Sequence, residues 1–350
     1  MILKSIELTN FRNFDKARFN FNPFLTVIVG NNSVGKTNLI EAIHFLLYGS
    51  GFRESQRQEL FLTNTTQLNV EGLFIQAEEN NLFRIILEAR NGVIYTSLAI
   101  NKIKKRLFDY LSYCPIGVIF SPFLIYAIDG QPSDRRELID KVLTKLDIEY
   151  KKHLTSYETA LKKRNKLLEK EKNPDKLKDS LTFWDGYLIA EAKYIQEKRS
   201  EFVEFYNQHP KLDNKEFSLE YKPNLINHDT LKATFEKQLY IKKTLVGPQR
   251  DDFQIYIKKN ELNINVHHFG SRSEQRLALF WFIINQIKLI EQTKNTKPIL
   301  LLDDIFSELD LSNKALILKL ITNYQTIVTT TEIHLEEIID FPHTIIKLKS

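Results

Sequence analysis

A glycine-rich segment with the pattern G-x-x-x-x-G-K-T is the part of the sequence whose residue types most clearly predict chemistry. Its residues, with the one that follows, are Gly30, Asn31, Asn32, Ser33, Val34, Gly35, Lys36, Thr37 and Asn38. Backbone N–H groups of such a loop, together with the positive end of the helix that it opens, form a cradle for nucleotide phosphates. Lys36 would reach the β- and γ-phosphate oxygens, and Thr37 would offer its hydroxyl to Mg²⁺.

Two adjacent carboxylates supply the second half of the predicted site. Asp303 and Asp304 directly follow the apolar run Ile299–Leu302, which has the composition of a buried parallel strand. The carboxyl ends of parallel strands share one edge of a sheet with the phosphate loop. We therefore expect Asp303 to hold Mg²⁺ and Asp304 to orient or deprotonate the attacking water during phosphoryl transfer.

Both groups of residues need an α/β framework to bring them together. The apolar run Phe24–Val29 before the loop predicts a strand, and Leu39 to Leu47 recur at helical spacing after it. Between Leu68 and Ile100, short runs of β-branched and aromatic residues predict antiparallel hairpins, with turns at 79–81 and 91–92. A helix is expected to begin near Ser271, and a final helix and strand are expected over 311–328.

The middle of the chain differs in composition. After Ser121-Pro122, periodic leucines with Lys/Glu mixtures predict a mostly helical insertion that contains two long helices joined at Asn173-Pro174. Residues 141–199 hold 15 basic and 10 acidic side chains, whereas the whole chain has a net charge of +5. This excess of basic side chains is typical either of a solvent-exposed helical surface or of a surface that binds a row of phosphates. The predicted organisation is a nucleotide-binding lobe of residues 1–120 and 245–350 with a helical lobe of 121–244.

Composition excludes several classes of protein. With 350 residues, 43% hydrophobic and 27% charged, the chain has neither a disordered nor a fibrous composition. Its start, MILKSIELTNFRNF, predicts no signal peptide, and no apolar stretch approaches the roughly 20 residues of a membrane span. Cys114 is the single cysteine, so no intramolecular disulfide is possible. We expect a cytoplasmic location without membrane contact.

Several segments together resemble the RecF family of bacterial recombination-mediator ATPases, whose head is of the ABC type shared with SMC proteins. In order, they are LTNFRNF (8–14), GNNSVGKTNLIEAI (30–43), GSGFRE (49–54), FSP (120–122), DGQPSDRRELID (129–140), YETALKKRNKLL (157–168), GPQRDDF (247–253), GSRSEQRLAL (270–279) and PILLLDDIFSELD (298–310). The resemblance implies an α/β fold with an ABC-type ATPase head, a mixed sheet with antiparallel strands, and an inserted helical lobe.

The resemblance also implies an ATP-dependent homodimer, in which each ATP lies between one subunit's phosphate loop and the other subunit's signature segment. Ser271, at the start of the signature GSRSEQ, would face the γ-phosphate across the interface. Glu308 and Asp310 fall in the expected D-loop. Thr330 stands where a γ-phosphate sensor is expected, and Arg12 is a candidate for nucleotide contact. Ion pairs with Asp251, Asp252 or Asp303 are the alternative for Arg12, Arg53, Arg250 and Arg276.

This sequence departs from the family's motifs at three positions. Ser33 replaces a usual glycine of the loop and would cost little if its φ were negative. Ser273 replaces the usual glycine of the signature, where a side chain would hinder close approach to the γ-phosphate. We therefore expect retained ATP binding with slow hydrolysis. Gln249 stands in place of a usual histidine, and its consequence has no physical explanation.

By resemblance, the expected function is ATP-dependent, sequence-independent DNA binding at gaps or single-strand/double-strand junctions, with recombinase loading through mediator proteins such as RecR. Lysines of the helical lobe and the inner faces of the dimer would contact phosphates. One alternative is a nucleotide-gated protein scaffold with negligible hydrolysis and little direct DNA binding. A nuclease-linked ATPase would require an additional cluster of metal-binding carboxylates, for which the residues after Asp310 offer little room.

Overall fold

A computed structural model describes residues 1–171, 174–305, 321–331 and 342–348. The chain divides into two compact units. Unit 1 comprises residues 1–123 and 295–350, and unit 2 comprises residues 124–294. Residues 245–294, which the sequence placed with the nucleotide-binding lobe, lie in unit 2. The reason is strand pairing, because Asp252–Lys259 pairs with Lys215–Lys222 in one sheet.

The described strands are β1 (Ile2–Phe11), β2 (Phe14–Asn20), β3 (Leu25–Val29), β4 (Gln67–Gln76), β5 (Glu79–Arg90), β6 (Val93–Ile100), β7 (Ile103–Lys105), β8 (Gly117–Phe120), β9 (Lys211–Leu212), β10 (Lys215–Lys222), β11 (Asp252–Lys259), β12 (Leu262–Asn265), β13 (Ile299–Leu302), β14 (Thr326–Thr330) and β15 (His343–Lys347). The described helices are α1 (Lys36–Tyr48), α2 (Leu107–Tyr113), α3 (Tyr126–Asp129), α4 (Pro132–Leu146), α5 (Ile148–Lys170), α6 (Pro174–Asn207), α7 (His228–Ala233), α8 (Phe235–Ile241), α9 (Val266–Phe269) and α10 (Arg272–Lys294).

A parallel sheet in the order β15-β3-β14-β13-β8 forms the centre of unit 1. Strands β3, β13 and β14 are buried along their whole length, as their continuous apolar composition requires. Helix α1 follows β3 and buries Leu39, Ile40 and Ile43 among its core residues. Because the strands are parallel, β3, β14, β13 and β8 all end at one edge, and the residues after them meet there.

An antiparallel sheet in the order β2-β1-β4-β5-β6-β7 completes unit 1, as the hairpin pattern predicted. The turn between β5 and β6 uses Asn91 and Gly92, both at positive φ, in agreement with the sequence. The preceding turn instead uses Ala77 and Glu78, and β5 already begins at Glu79. The polar run at 79–81 therefore belongs to the strand, since its backbone continues the ladder with β4.

Unit 2 contains the two long predicted helices, α5 and α6, which pack along each other. It also contains a sheet in the order β12-β11-β10-β9, part of which lies inside the segment predicted to be mostly helical. Strand β10 buries Phe217 and Leu219 between charged residues, and this alternation is a strand period that the high Lys/Glu content obscured. No helix in the described ranges combines the length and apolarity of a membrane span.

Candidate functional site

The glycine-rich segment joins β3 to α1 and has room only for glycine at its two ends. Gly35 has a φ of +107°, and a Cβ atom there would lie 2.6 Å from the Asn13 amide nitrogen. A Cβ on Gly30 would lie 2.8 Å from Val34 Cγ2 and 2.9 Å from the Leu348 carbonyl oxygen. The loop is thus held close to its neighbours, with its N–H groups at the start of α1, where anions bind.

Lys36 is the first residue of α1 and is 92% buried, with 8% of its surface exposed. Its ammonium group donates to the carbonyl oxygens of Gly30 at 2.7 Å and Asn31 at 2.9 Å. Burial lowers the pKa of Lys36, while the charges of Asp304 and Asp303 oppose that shift. The cation therefore lies inside the loop and close to both carboxylates.

Thr37 and Asp303 are in direct contact although they are far apart in the sequence. The Thr37 hydroxyl donates to Asp303 Oδ1 at 2.9 Å, and Thr329 donates to the same oxygen at 2.8 Å. Ser121, directly after β8, donates to Asp303 Oδ2 at 3.2 Å. Burial raises the pKa of Asp303, and the hydrogen bonds from Thr329, Thr37 and Ser121 oppose this rise. A carboxylate beside a hydroxyl, with a phosphate cradle adjoining, fits the oxygen ligands that Mg²⁺ prefers.

Asp304 and Thr330 also lie at this edge of the parallel sheet. Asp304 has a φ of +50°, and its N–H donates to Thr329 Oγ1 at 2.9 Å. Thr330 is buried and pairs in register with Val29, the residue before the phosphate loop. Thr329, which no sequence motif marks, thus contacts both aspartates, and side-chain alternation along β14 places Thr330 on the opposite face.

Arg12 contacts helix α1 through an ion pair, the alternative that the sequence offered, but its partner is Glu41 and not one of the expected aspartates. It donates to both oxygens of Glu41 at 2.8 and 3.0 Å, and Arg53 donates to Glu41 at 2.8 Å. Glu41 is fully buried, so two guanidinium groups offset one desolvated carboxylate. Arg53 also donates to Asn38, and Asn38 donates to Asn13, whose own amide donates to the Val34 carbonyl. This network of hydrogen bonds stabilises the phosphate loop. Contact between Arg12 and the nucleotide stays a prediction.

The sequence left open the backbone conformation of Ser33, and the structure places it in the left-handed region with a φ of +69°. Ser33 therefore lacks the negative φ at which serine could replace the usual glycine with little loss of stability. A residue with a Cβ atom is strained by roughly 1–2 kcal/mol in this region, whereas glycine is not. Asn31, Asn32 and Ser33 are exposed along the loop.

Ser271 lies in unit 2, directly before α10. Its N–H and hydroxyl both donate to Glu274 Oε2, at 2.9 and 3.1 Å, and the Glu274 N–H donates to Ser271 Oγ at 3.3 Å. This reciprocal pattern is a capping box at the helix start. Ser273 follows in the first turn and is exposed. The D-loop candidates Glu308 and Asp310 lie outside the described residues.

Comparisons with known proteins agree with the motifs. Residues 2–105 match the family described as "RecF/RecN/SMC N terminal domain". The chain is 31% identical to "DNA replication and repair protein RecF" of Clostridioides difficile (strain 630), over 97% of this chain and 94% of that protein. The chain belongs to the RecF family. It is also 30% identical to a solved RecF, described as the recombination mediator protein RecF-ATP in the RecFOR pathway, with a TM-score of 0.86 and coverage of 95% and 92%.

The RecF match confirms the predicted fold class. The Smc head domain of Pyrococcus furiosus shares the fold at 19% identity, with a TM-score of 0.53 over 97% of this chain and 92% of that one. Together with the parallel and antiparallel sheets, these similarities establish an ABC-type α/β head of the kind found in RecF and Smc proteins.

Proposed function

We propose that this member of the RecF family is an ATP-dependent DNA-binding protein of recombinational repair and replication. It would bind DNA at gaps or junctions as an ATP-sandwiched homodimer and promote recombinase loading together with mediator proteins such as RecR. The observation that carries the proposal is the 2.9 Å contact between Thr37 and Asp303 beside the buried Lys36. The solved relative described as RecF-ATP supports ATP as the nucleotide.

Each residue of the site has a defined part in this proposal. The loop N–H groups and Lys36 would bind the phosphates, and Thr37 with Asp303 would hold Mg²⁺. Bound there, the metal ion would neutralise charge that develops on the β- and γ-phosphate oxygens. Asp304 would orient the attacking water, and Thr330 would sense the γ-phosphate. Ser271 would face the phosphate loop of the partner subunit in the dimer.

Exposed cations support the DNA contact. The segment that we call the basic edge consists of Lys102, Lys104, Lys105 and Arg106, on and beside the edge strand β7. Three of the four are exposed, and no acidic residue interrupts the segment. Such a cluster attracts phosphates without reading sequence. We also propose a cytoplasmic location, where the thiol of Cys114, the single cysteine of the sequence, would stay reduced.

A second function is favoured by the φ of +69° at Ser33. A strained loop that binds ATP but turns it over slowly would suit a nucleotide-gated scaffold whose main partner is protein. In that case hydrolysis would be negligible and direct DNA binding weak.

Fluorescence anisotropy with a labelled gapped duplex tests the proposal at one fixed salt concentration. The wild-type protein is measured with ATP and Mg²⁺ and with ADP, and the Lys36→Ala variant is measured with ATP and Mg²⁺. We expect tight binding only for the wild-type protein with ATP. Equal binding in all three cases would contradict nucleotide control of DNA binding, and absence of binding in all three would favour the scaffold.

A further inference from the structure

An exposed groove between α5 and α6 in unit 2 takes no part in the site described above. Its volume is about 340 Å³. Small side chains of α5 form one wall, and aromatic side chains of α6 form the other. The lining residues are Thr155, Ser156, Thr159, Ala160, Lys163, Phe183, Trp184 and Tyr187.

The aromatic wall is unusual for a surface helix because its rings face solvent. Phe183 is 66% exposed and Tyr187 is 39% exposed. The Phe183 and Trp184 ring centroids lie 5.0 Å apart, and those of Trp184 and Tyr187 lie 6.3 Å apart. Clustered exposed rings mark an interaction surface. With small residues opposite them, they leave a slot that suits a planar group.

The charge of the groove selects the kind of ligand. Among the described residues that line it, Lys163 is the one charged residue, and its Nζ lies 4.9 Å from the Trp184 ring centroid. Lys166, one helical turn further on the same face of α5, is also exposed. Asp185, the acidic residue next to Trp184, instead pairs with the buried Arg164. The open side of the groove thus offers aromatic faces and positive charge.

We propose that this groove binds single-stranded DNA, with bases stacked on Phe183, Trp184 and Tyr187 and phosphates near Lys163 and Lys166. Aromatic platforms beside lysines bind single strands without sequence preference, because every base has a π-face. The inference rests on the proposed function in that its ligand is DNA, and it adds a site for the unpaired strand that is separate from the ATP site.

The test measures binding of a fluorescein-labelled oligothymidylate of about ten nucleotides by anisotropy, with ATP and Mg²⁺ present as in the gapped-duplex measurement. Phe183→Ala should weaken binding about tenfold, the range found when a stacking side chain is truncated. Tyr240→Ala is the matched control, because Tyr240 is 90% exposed in the same unit and lies outside the groove. It should bind as the wild-type protein does.

Intrinsic fluorescence gives an independent measurement, because the chain has two tryptophans, Trp184 and the buried Trp281. Saturating oligothymidylate should quench the wild-type emission, and Trp184→Phe should abolish that quenching. Unchanged affinity in Phe183→Ala, or quenching that survives Trp184→Phe, would overturn the inference. So would tighter binding of polyglutamate than of oligothymidylate, which would indicate an acidic protein partner. If Lys36→Ala still loses the gapped duplex in that case, the proposed function stands.

Discussion

Replacing Ser33 by glycine should relieve strain in the phosphate loop. Ser33 is exposed and has a φ of +69°, so its Cβ atom costs roughly 1.5 kcal/mol in the left-handed region. Glycine also raises the conformational entropy of the unfolded chain, and this lowers the stability of the folded state by about 0.5 kcal/mol. The expected net gain is about 1 kcal/mol in the free energy of unfolding, or about 2 °C in melting temperature by calorimetry.

Two further variants show whether the gain comes from the backbone. Glu78 has the same φ of +69° in the exposed turn between β4 and β5, so Glu78→Gly should gain a similar amount. Ser33→Ala keeps the strain and removes only the hydroxyl, and it should gain nothing. Because glycine can adopt the present conformation, ATP affinity of Ser33→Gly should change less than about twofold. A gain in Ser33→Ala equal to that in Ser33→Gly would refute the assignment of strain to the backbone.

Three other predictions follow from the structure. Gly35→Ala should abolish binding of a fluorescent ATP analogue, because its Cβ would clash with Asn13, whereas Gly92→Ala, with positive φ but open space, should bind normally. Burial chiefly raises the pKa of Glu54, so the folded state holds its proton more tightly and loses stability as the pH rises through that pKa. In urea unfolding at pH 8, Glu54→Gln should therefore have a higher free energy of unfolding than the wild-type protein. This difference should disappear as the pH falls to the ordinary range of the glutamate pKa. A difference that does not depend on pH would contradict the prediction. Neutralising the three exposed cations of the basic edge should reduce the slope of log affinity for DNA against log salt by up to about three, and an unchanged slope would exclude that edge.

The core of the candidate site could be predicted because its signals are local. An apolar run, a glycine loop and a helical period define the position of Lys36, and an apolar run that ends in two aspartates defines Asp303. Parallel strands then bring the two together by geometry alone, and the hydrogen bond of Thr37 to Asp303 bears this out.

The supporting residues could not be predicted, since their roles depend on contacts between distant segments. Glu41 appears in the sequence as one charged residue on an apolar helix, and only the fold brings Arg12 and Arg53 to it. Thr329 and Thr330 are indistinguishable by residue type, and strand alternation decides which of them meets Asp303. The conformation of Ser33 likewise depends on the loop as a whole.

The position of β3 has a consequence for synthesis of the protein. Its two neighbours in the sheet, β14 and β15, both lie far along the chain from it, and Leu25 pairs with Thr326 on one side and His343 on the other. Until residues 326–347 have been synthesised, the apolar segment LTVIV has neither of its native strand partners, and unpaired apolar strands are prone to aggregate. Collapse of this segment around α1, or a chaperone, would have to protect it until then, and we expect ATP binding only after β14 and β15 have paired with β3.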